Sequence, residues 1–193
     1  MATTEEIKAL RDETGVSIMQ CKKALEEAGG DIEKAKVILR KVSASIASKK
    51  ADRTIGAGVA VAYQHAGGQV LGAVVLGCET DFVSKNQDFV KLAYDIAMHI
   101  AAMNPQFRTR EDVKEKDIQA AREVFTEEVA KVPEAARGKA LEGKIESYLS
   151  ERVLLKQPFI KDASITIQQL IDSGIQKFGE KIQVVRFERL SVR

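Results

Sequence analysis

Apolar positions along this chain change period several times, and each change marks an element boundary. Over residues 1–40 they recur three and four apart in short runs broken by glycine, which predicts three short helices. Thr3 and Glu6 fit a capping box ahead of Ile7 and Leu10, and Thr14-Gly15 stops that helix. Ser17 can cap the next, which runs to Gly29-Gly30, and Asp31 can cap a third carrying Ile32, Ala35 and Leu39 on one face. Polar residues then dominate: Ser43, Ser45 and Ser48 precede Lys49-Lys50-Ala51-Asp52-Arg53, a pattern that reads as a polar connector able to be helical in part. From Thr54 to Cys78 there is no Asp, Glu, Lys or Arg. Glycines and the break at His65-Ala66-Gly67-Gly68-Gln69 divide that stretch into two short runs. Val59, Val61 and Tyr63 alternate and Val70 to Leu76 is rich in β-branched residues, so a β-hairpin fits better than a membrane span.

Helical spacing returns afterwards. Phe89, Leu92, Ile96, Ile100 and Met103 line one helix, with Ser84 as its expected cap and Asn104-Pro105 as its end. Ile118, Ala121, Phe125 and Val129 make one seam of a helical hairpin over about residues 112–155. Leu141, Ile145 and Leu149 make the other, with Val132-Pro133 at the corner. Ser164 is the expected cap of a last helix carrying Ile167, Ile171 and Phe178 and closed by Gly179. Residues from Ile182 to Leu190 alternate as a strand. The order predicts an α+β fold with a small antiparallel sheet packed on helices. The expected organisation is a three-helix module over 1–41, a linker over 42–55 and an α+β core over 56–193.

Composition narrows the function classes. The 193 residues carry 30 Lys plus Arg against 28 Asp plus Glu, a formal net charge of +2, and aromatic residues are 5%. Near-cancelling charge and few aromatics argue against a general nucleic-acid surface. With 45% hydrophobic and 30% charged residues the chain reads as globular, not disordered. Two cysteines, Cys21 and Cys78, cannot build a disulfide scaffold, and with only two histidines a zinc site is not expected. The acidic, helical N-terminus has no secretory pattern, so a reducing cytoplasm is the expected location. Gly56-Ala57-Gly58 lacks the third glycine of a dinucleotide loop, and the Gly67/Gly72 pair lacks the P-loop lysine, where Ala73 stands. No nucleophile motif is present, so neither catalysis, a cofactor nor a metal is expected.

One segment is unusual. Glu79-Thr80-Asp81-Phe82-Val83-Ser84-Lys85-Asn86 follows the second strand directly, placing Asp81 and Phe82 in a tight strand-to-helix turn. An aromatic beside a carboxylate at a corner suits a probe inserted into a partner. The residues alone leave a second reading open, in which Phe82 folds back as a staple and Asp81 helps cap the helix.

At these residues the chain resembles a known family. Leu10-Arg11-Asp12-Glu13-Thr14-Gly15, Met19, Cys21-Lys22-Lys23-Ala24-Leu25 and Gly30-Asp31-Ile32-Glu33 are similar to the N-terminal signature of elongation factor Ts. Cys78-Glu79-Thr80-Asp81-Phe82-Val83 resembles its second signature, and Gln157-Pro158-Phe159-Ile160 and Gly179-Glu180 with Ile182 also fit. The resemblance implies a guanine nucleotide exchange factor for elongation factor Tu in protein biosynthesis, with an N-terminal module like a ubiquitin-associated fold. It implies that Asp81 and Phe82 are a wedge pushed between helices of the GTPase domain near the Mg²⁺ and phosphate site. Thr80 and Val83 hold the turn in that reading. Arg11, Ile18 and Met19 face the GTPase domain beside the guanine side, and the Tyr63-Gln64-His65 tip makes a second contact through His65. The chain is similar to the short form of the family, with one core copy where long members have two. That implies a reversible homodimer and a 2:2 complex, with no cysteine near the C-terminus to lock it and no direct nucleic-acid contact. Ile18, where Met is frequent, and Lys181 depart slightly from the family pattern. Two other classes remain: a module whose N-terminal helices alone bind a protein, and an RNA-associated translation protein using Lys49, Lys50 and Arg53.

Overall fold

The computed structural model describes residues 2–192, so the outer ends of the expected domains, residues 1 and 193, lie outside the described residues. Helix α1 (Thr4–Thr14) opens with the Thr3/Glu6 capping box and ends at Gly15. Helix α2 (Ile18–Glu27) is capped by Ser17, and α3 (Ile32–Lys49) by Asp31, whose carboxylate accepts from the Lys34 amide. Leu10, Val16, Cys21, Ala24, Leu25, Ala35 and Leu39 fill the space between these helices.

α3 extends past residue 41, the expected end of the N-terminal module, into the connector. It continues without a break to Lys49, so only the short stretch before the first strand is irregular. Of the three serines that suggested a connector, Ser43 lies at a helix–helix contact, while Ser45 and Ser48 are exposed. Ser43 is buried and its hydroxyl reaches Gln176, while Ile46 and Ala47 pack on the central core. One half of α3 thus belongs to the N-terminal core and the other half to the main one.

Strands β1 (Ala57–His65) and β2 (Val70–Cys78) form the expected hairpin, in register from Ala57 opposite Cys78 to His65 opposite Val70. Its turn is a short 3₁₀ segment, Ala66–Gly68. A one-turn helix α4 (Asp81–Ser84) and a long helix α5 (Gln87–Met103) follow. After the helical hairpin α6 (Glu115–Val129) and α7 (Glu134–Arg152) comes a ribbon of β3 (Pro158–Phe159) and β4 (Asp162–Thr166). Helix α8 (Ile167–Phe178) and strand β5 (Gln183–Ser191) close the chain. The sheet order is β1-β2-β5, all antiparallel, with a bulge between Val75 and Leu76. The α+β reading therefore holds.

The sheet's inner face meets α5 and α8. Val74, Leu76, Phe89, Ile96, Ile100, Ile167, Ile171 and Val184 are all buried there, and Phe89 meets Phe178 edge-on at 5.8 Å. Gly72 marks the closest approach, because a Cβ at that position would overlap the backbone of Ala97 and Ala101. The helical hairpin has its own seam, in which Ile118, Ile145 and Leu149 are buried and Phe125 lies 6.0 Å from Tyr148. Its base is tied to α5 through His99, which is fully buried. The Ile160 amide donates to His99 Nδ1 at 3.3 Å, so Nε2 carries the proton and donates to Gln157 Oε1 at 2.9 Å. Gln157 in turn donates to the carbonyls of Met103 and Glu151.

Two caps differ from expectation. Ser84 does not cap α5: its hydroxyl donates to the Asp81 carbonyl inside α4, and Asn86 takes the cap by accepting from the Asp88 amide. Ser164 lies within β4, and α8 is capped instead by Thr166 in a capping box with Gln169.

Candidate partner-binding site

The turn after β2 is built from its flanks inward. An isolated four-residue helix does not hold itself together, since nucleation costs more than one turn returns. α4 is held by what surrounds it. On its C-terminal side Val83 is buried in the main core, and Asn86 begins α5 directly. On its N-terminal side the Cys78 thiol donates to the Thr80 carbonyl at 3.2 Å. Glu180, one residue past the Gly179 cap of α8, accepts from the amides of Glu79 at 3.1 Å and Thr80 at 3.0 Å. Its other oxygen accepts from the Thr80 hydroxyl at 2.6 Å. Glu79 answers in the opposite direction, accepting from the Lys181 amide at 2.6 Å and pairing with Arg53 at 3.2 Å. These bonds hold the Glu79 carboxyl below its ordinary range, the Lys181 amide being the largest cause. Gly56 runs beside this junction, where a Cβ would sit 2.8 Å from the Glu79 carbonyl.

On that mounting Phe82 points away from the core and is 83% exposed. The staple reading is therefore excluded by the structure. Asp81 is also exposed, and Lys85 Nζ reaches it at 2.6 Å, one turn on. That hydrogen bond and charge keep the Asp81 carboxyl below its ordinary value, so it is ionised at neutral pH. Thr80 and Val83, expected to hold the turn, sit on either side, one bonded to Glu180 and the other in the core.

A second set of expected residues lies on the N-terminal helices. Ile18 is 58% and Met19 79% exposed at the start of α2, while Cys21, Ala24 and Leu25 on the same helix are buried. Arg11, in the last turn of α1, pairs with Asp12 at 3.3 Å. The end of α8 connects these helices to the region of the turn. Gln176 donates to Gln20 at 3.0 Å, Lys177 pairs with Asp88 of α5 at 2.8 Å beside Gly15, and Glu180 holds Thr80.

His65 is placed elsewhere. Ala57, opposite Cys78, is at the open end of the hairpin, where α4 begins, and His65 lies eight residues away along β1, about 27 Å in extended strand. There Tyr63 Oη lies 3.1 Å from His65 Nδ1, and the Tyr63 ring meets Tyr94 edge-on at 5.5 Å. The structure thus gathers the turn and the N-terminal helices around the end of α8 and leaves His65 at the far end.

Among the described residues no group of three or more His, Cys, Asp or Glu side chains is placed to hold a metal ion. Both cysteines are free and buried, and burial raises both thiols above their ordinary value. No helix of the described residues is long and apolar enough to cross a membrane.

A site that consists of one exposed aromatic, one ionised carboxylate and a braced backbone fits binding better than chemistry. The family model described as elongation factor TS matches residues 13–193. The chain belongs to the elongation factor Ts family. Elongation factor Ts of Syntrophomonas wolfei is 44% identical over 194 aligned residues, covering 100% of this chain and 91% of the relative. That of Desulforamulus reducens is 47% identical over 95% of this chain and 85% of its own length. That of Thermotoga petrophila is 44% identical over 96% and 94% respectively. The family's role is guanine nucleotide exchange on elongation factor Tu, which makes and breaks no covalent bond.

Glu180 is the residue whose contacts the sequence reading missed. Gly179-Glu180 stood out as part of the family pattern, but its partners Glu79 and Thr80 lie about a hundred positions earlier. Only the fold brings them together.

Proposed function

We propose that this chain binds elongation factor Tu in the cytoplasm and drives GDP release by inserting Asp81 and Phe82 as a wedge near the Mg²⁺ and phosphate site. The observation that carries the reading is Phe82: a large aromatic, 83% exposed, on a one-turn helix tied down on both sides. A large rigid side chain that loses little entropy on burial is what interface anchors are made of. Release then follows from differential binding. The factor favours a partner conformation that holds nucleotide badly, and GDP weakens the factor's own binding by the same free energy. Arg11, Ile18 and Met19 add affinity on the GTPase domain, and His65 makes a separate contact. Because His65 and the wedge lie at opposite ends of the hairpin, a homodimer in a 2:2 complex lets two copies engage two partners at once. The sheet's outer face, with Val75, Val185 and Leu190 exposed, suits such a pairing.

The RNA reading is weaker, because two of its three cations are engaged internally: Lys50 donates to the Gly179 carbonyl at 2.8 Å and Arg53 pairs with Glu79. The independent-module reading is weakened by α3, which the N-terminal and main cores share. The test is to add the protein to elongation factor Tu loaded with fluorescent GDP. Release accelerated in proportion to added protein supports the proposal, and release at the spontaneous rate contradicts it.

A further inference from the structure

The one-turn helix α4 has no side-chain cap of its own: Thr80 stands at its N-cap position, yet its hydroxyl makes no bond to the helix. That hydroxyl donates instead to Glu180 at 2.6 Å. The two amides that lead into the turn, of Glu79 and Thr80, converge on the other oxygen of the same carboxylate. Three donors converging on one carboxyl group make a bracket of three hydrogen bonds. The bracket is reciprocal, since Glu79 accepts from the Lys181 amide at 2.6 Å. Arg53 pairs with Glu79, and Lys181 Nζ donates to the carbonyls of Ala51 and Arg53, which fixes the backbone that carries that cation. Two chain segments about a hundred residues apart are thereby joined side chain to backbone in both directions, immediately before Asp81 and Phe82.

We propose that Glu180 is a positioning residue for nucleotide release: it sets the direction of Phe82 by holding the backbone of Glu79 and Thr80, and acts on elongation factor Tu only through that side chain. The proposal rests on the wedge reading of Asp81 and Phe82. Its physical basis is pre-organisation. A probe on a loose turn loses ordering entropy when it inserts, whereas a bracketed one has already lost it. The same bracket joins the turn to the end of α8, whose Gln176 donates to Gln20 of α2 and whose Lys177, paired with Asp88 of α5, lies beside Gly15, so one helix end contacts both surfaces.

The experiment measures stimulated release of fluorescent GDP from elongation factor Tu by Glu180→Ala, Glu180→Gln, Thr80→Val, Phe82→Ala and the Phe82→Ala/Glu180→Ala double variant. All are assayed well below each variant's own melting temperature. Glu180→Ala is expected to reduce release about tenfold. Glu180→Gln keeps an oxygen for the two amides and is expected to stay within about threefold of the parent. Thr80→Val removes one bond at an exposed position without disturbing the core and is expected to fall between them. The double variant is expected to match Phe82→Ala within about twofold, because a residue acting through Phe82 has nothing left to position once Phe82 is gone. Glu180→Ala with parental release, or losses that multiply in the double variant, overturns the positioning role and leaves the wedge standing. Parental release by Phe82→Ala overturns the wedge reading, and the role of Glu180 falls with it.

Discussion

The two ends of the β1–β2 hairpin each carry an exposed ring, Phe82 beyond one and His65 at the other, and are treated differently by the fold. At the Ala57/Cys78 end the chain enters a one-turn helix fastened by Glu180, Glu79, Cys78 and Val83, and it leaves Phe82 in solvent. At the His65/Val70 end it makes a glycine-rich turn, beside which exposed His65 contacts half-buried Tyr63, whose ring meets Tyr94. Exposure is common to both ends, but the bracing differs: the α4 end is held by side-chain-to-backbone bonds from Glu180 and Glu79, the other by strand pairing of β5 up to Val70 and by the Val192 amide donating to the Gln69 carbonyl. A side chain that must push on a partner needs a mounting that does not yield. A side chain that only adds contact area can sit on a turn that adapts. On that ground we propose the release step for Phe82 and a peripheral contact for His65.

The contrast can be broken by mutation, starting where the effect is largest. Phe82→Ala removes an anchor of the class that contributes about 2–4 kcal/mol to complexes, so release at low factor concentration is expected to fall about 30- to 700-fold. Its melting temperature is expected to stay near the parent's, since an 83% exposed ring has little burial to lose. Asp81→Ala is expected to cost about tenfold in release, because a directed charge at an interface governs register more than affinity. Its melting is expected to be unchanged, the pair with Lys85 being fully exposed. Met19→Ala is expected to raise the factor concentration needed for half-maximal release about fivefold and to leave the maximal rate alone, as an affinity contact should. His65→Ala is expected to change either quantity by less than about threefold. A larger effect for His65 than for Asp81 erases the distinction between the two ends.

A test away from both ends concerns the base of the helical hairpin. Burial lowers the His99 pKa from its ordinary 6.5, and the Ile160 amide occupies Nδ1, the site a second proton would need. The folded protein therefore keeps His99 neutral while the unfolded chain takes up a proton below about pH 6.5. The stability from this group is complete above that pH. It is lost as the pH falls from there towards the lower folded value, with a slope of at most about 1.4 kcal/mol per pH unit. Melting of the parent is expected to drop between about pH 6.5 and 5, before carboxylates such as Glu79, whose values are held below 4.5, begin to protonate. His99→Gln is expected to melt lower at neutral pH and to lose most of that slope. An unchanged slope in the variant assigns the pH dependence to other groups.

Most helices could be read from local chemistry. Thr3, Ser17 and Asp31 cap as their spacing implies, and Gly179 ends α8, because each of these signals acts over three or four residues. Expectation failed where a long-range partner reassigned a residue. Ser43 reads as linker polarity until Gln176 arrives beside it and turns that position into a helix-packing contact. The β3–β4 ribbon escaped notice because a two-residue strand with a bulge shows no alternation. At the candidate site Asp81 and Phe82 could be singled out from an aromatic–acid pair at a corner. Their choice between probe and staple needed the exposure of Phe82, and their bracing needed Glu180 to be brought from the other end of the core.

The central claim is that Phe82 acts on the release step and does more than dock the factor. The maximal rate of GDP release, measured at saturating concentrations of Phe82→Ala, tests it directly, because saturation removes any difference in affinity. The expected result is a maximal rate that remains far below the parent's however much variant is added, with melting near the parental temperature. Recovery of the full parental rate at high variant concentration contradicts the claim and leaves Phe82 as a binding anchor only.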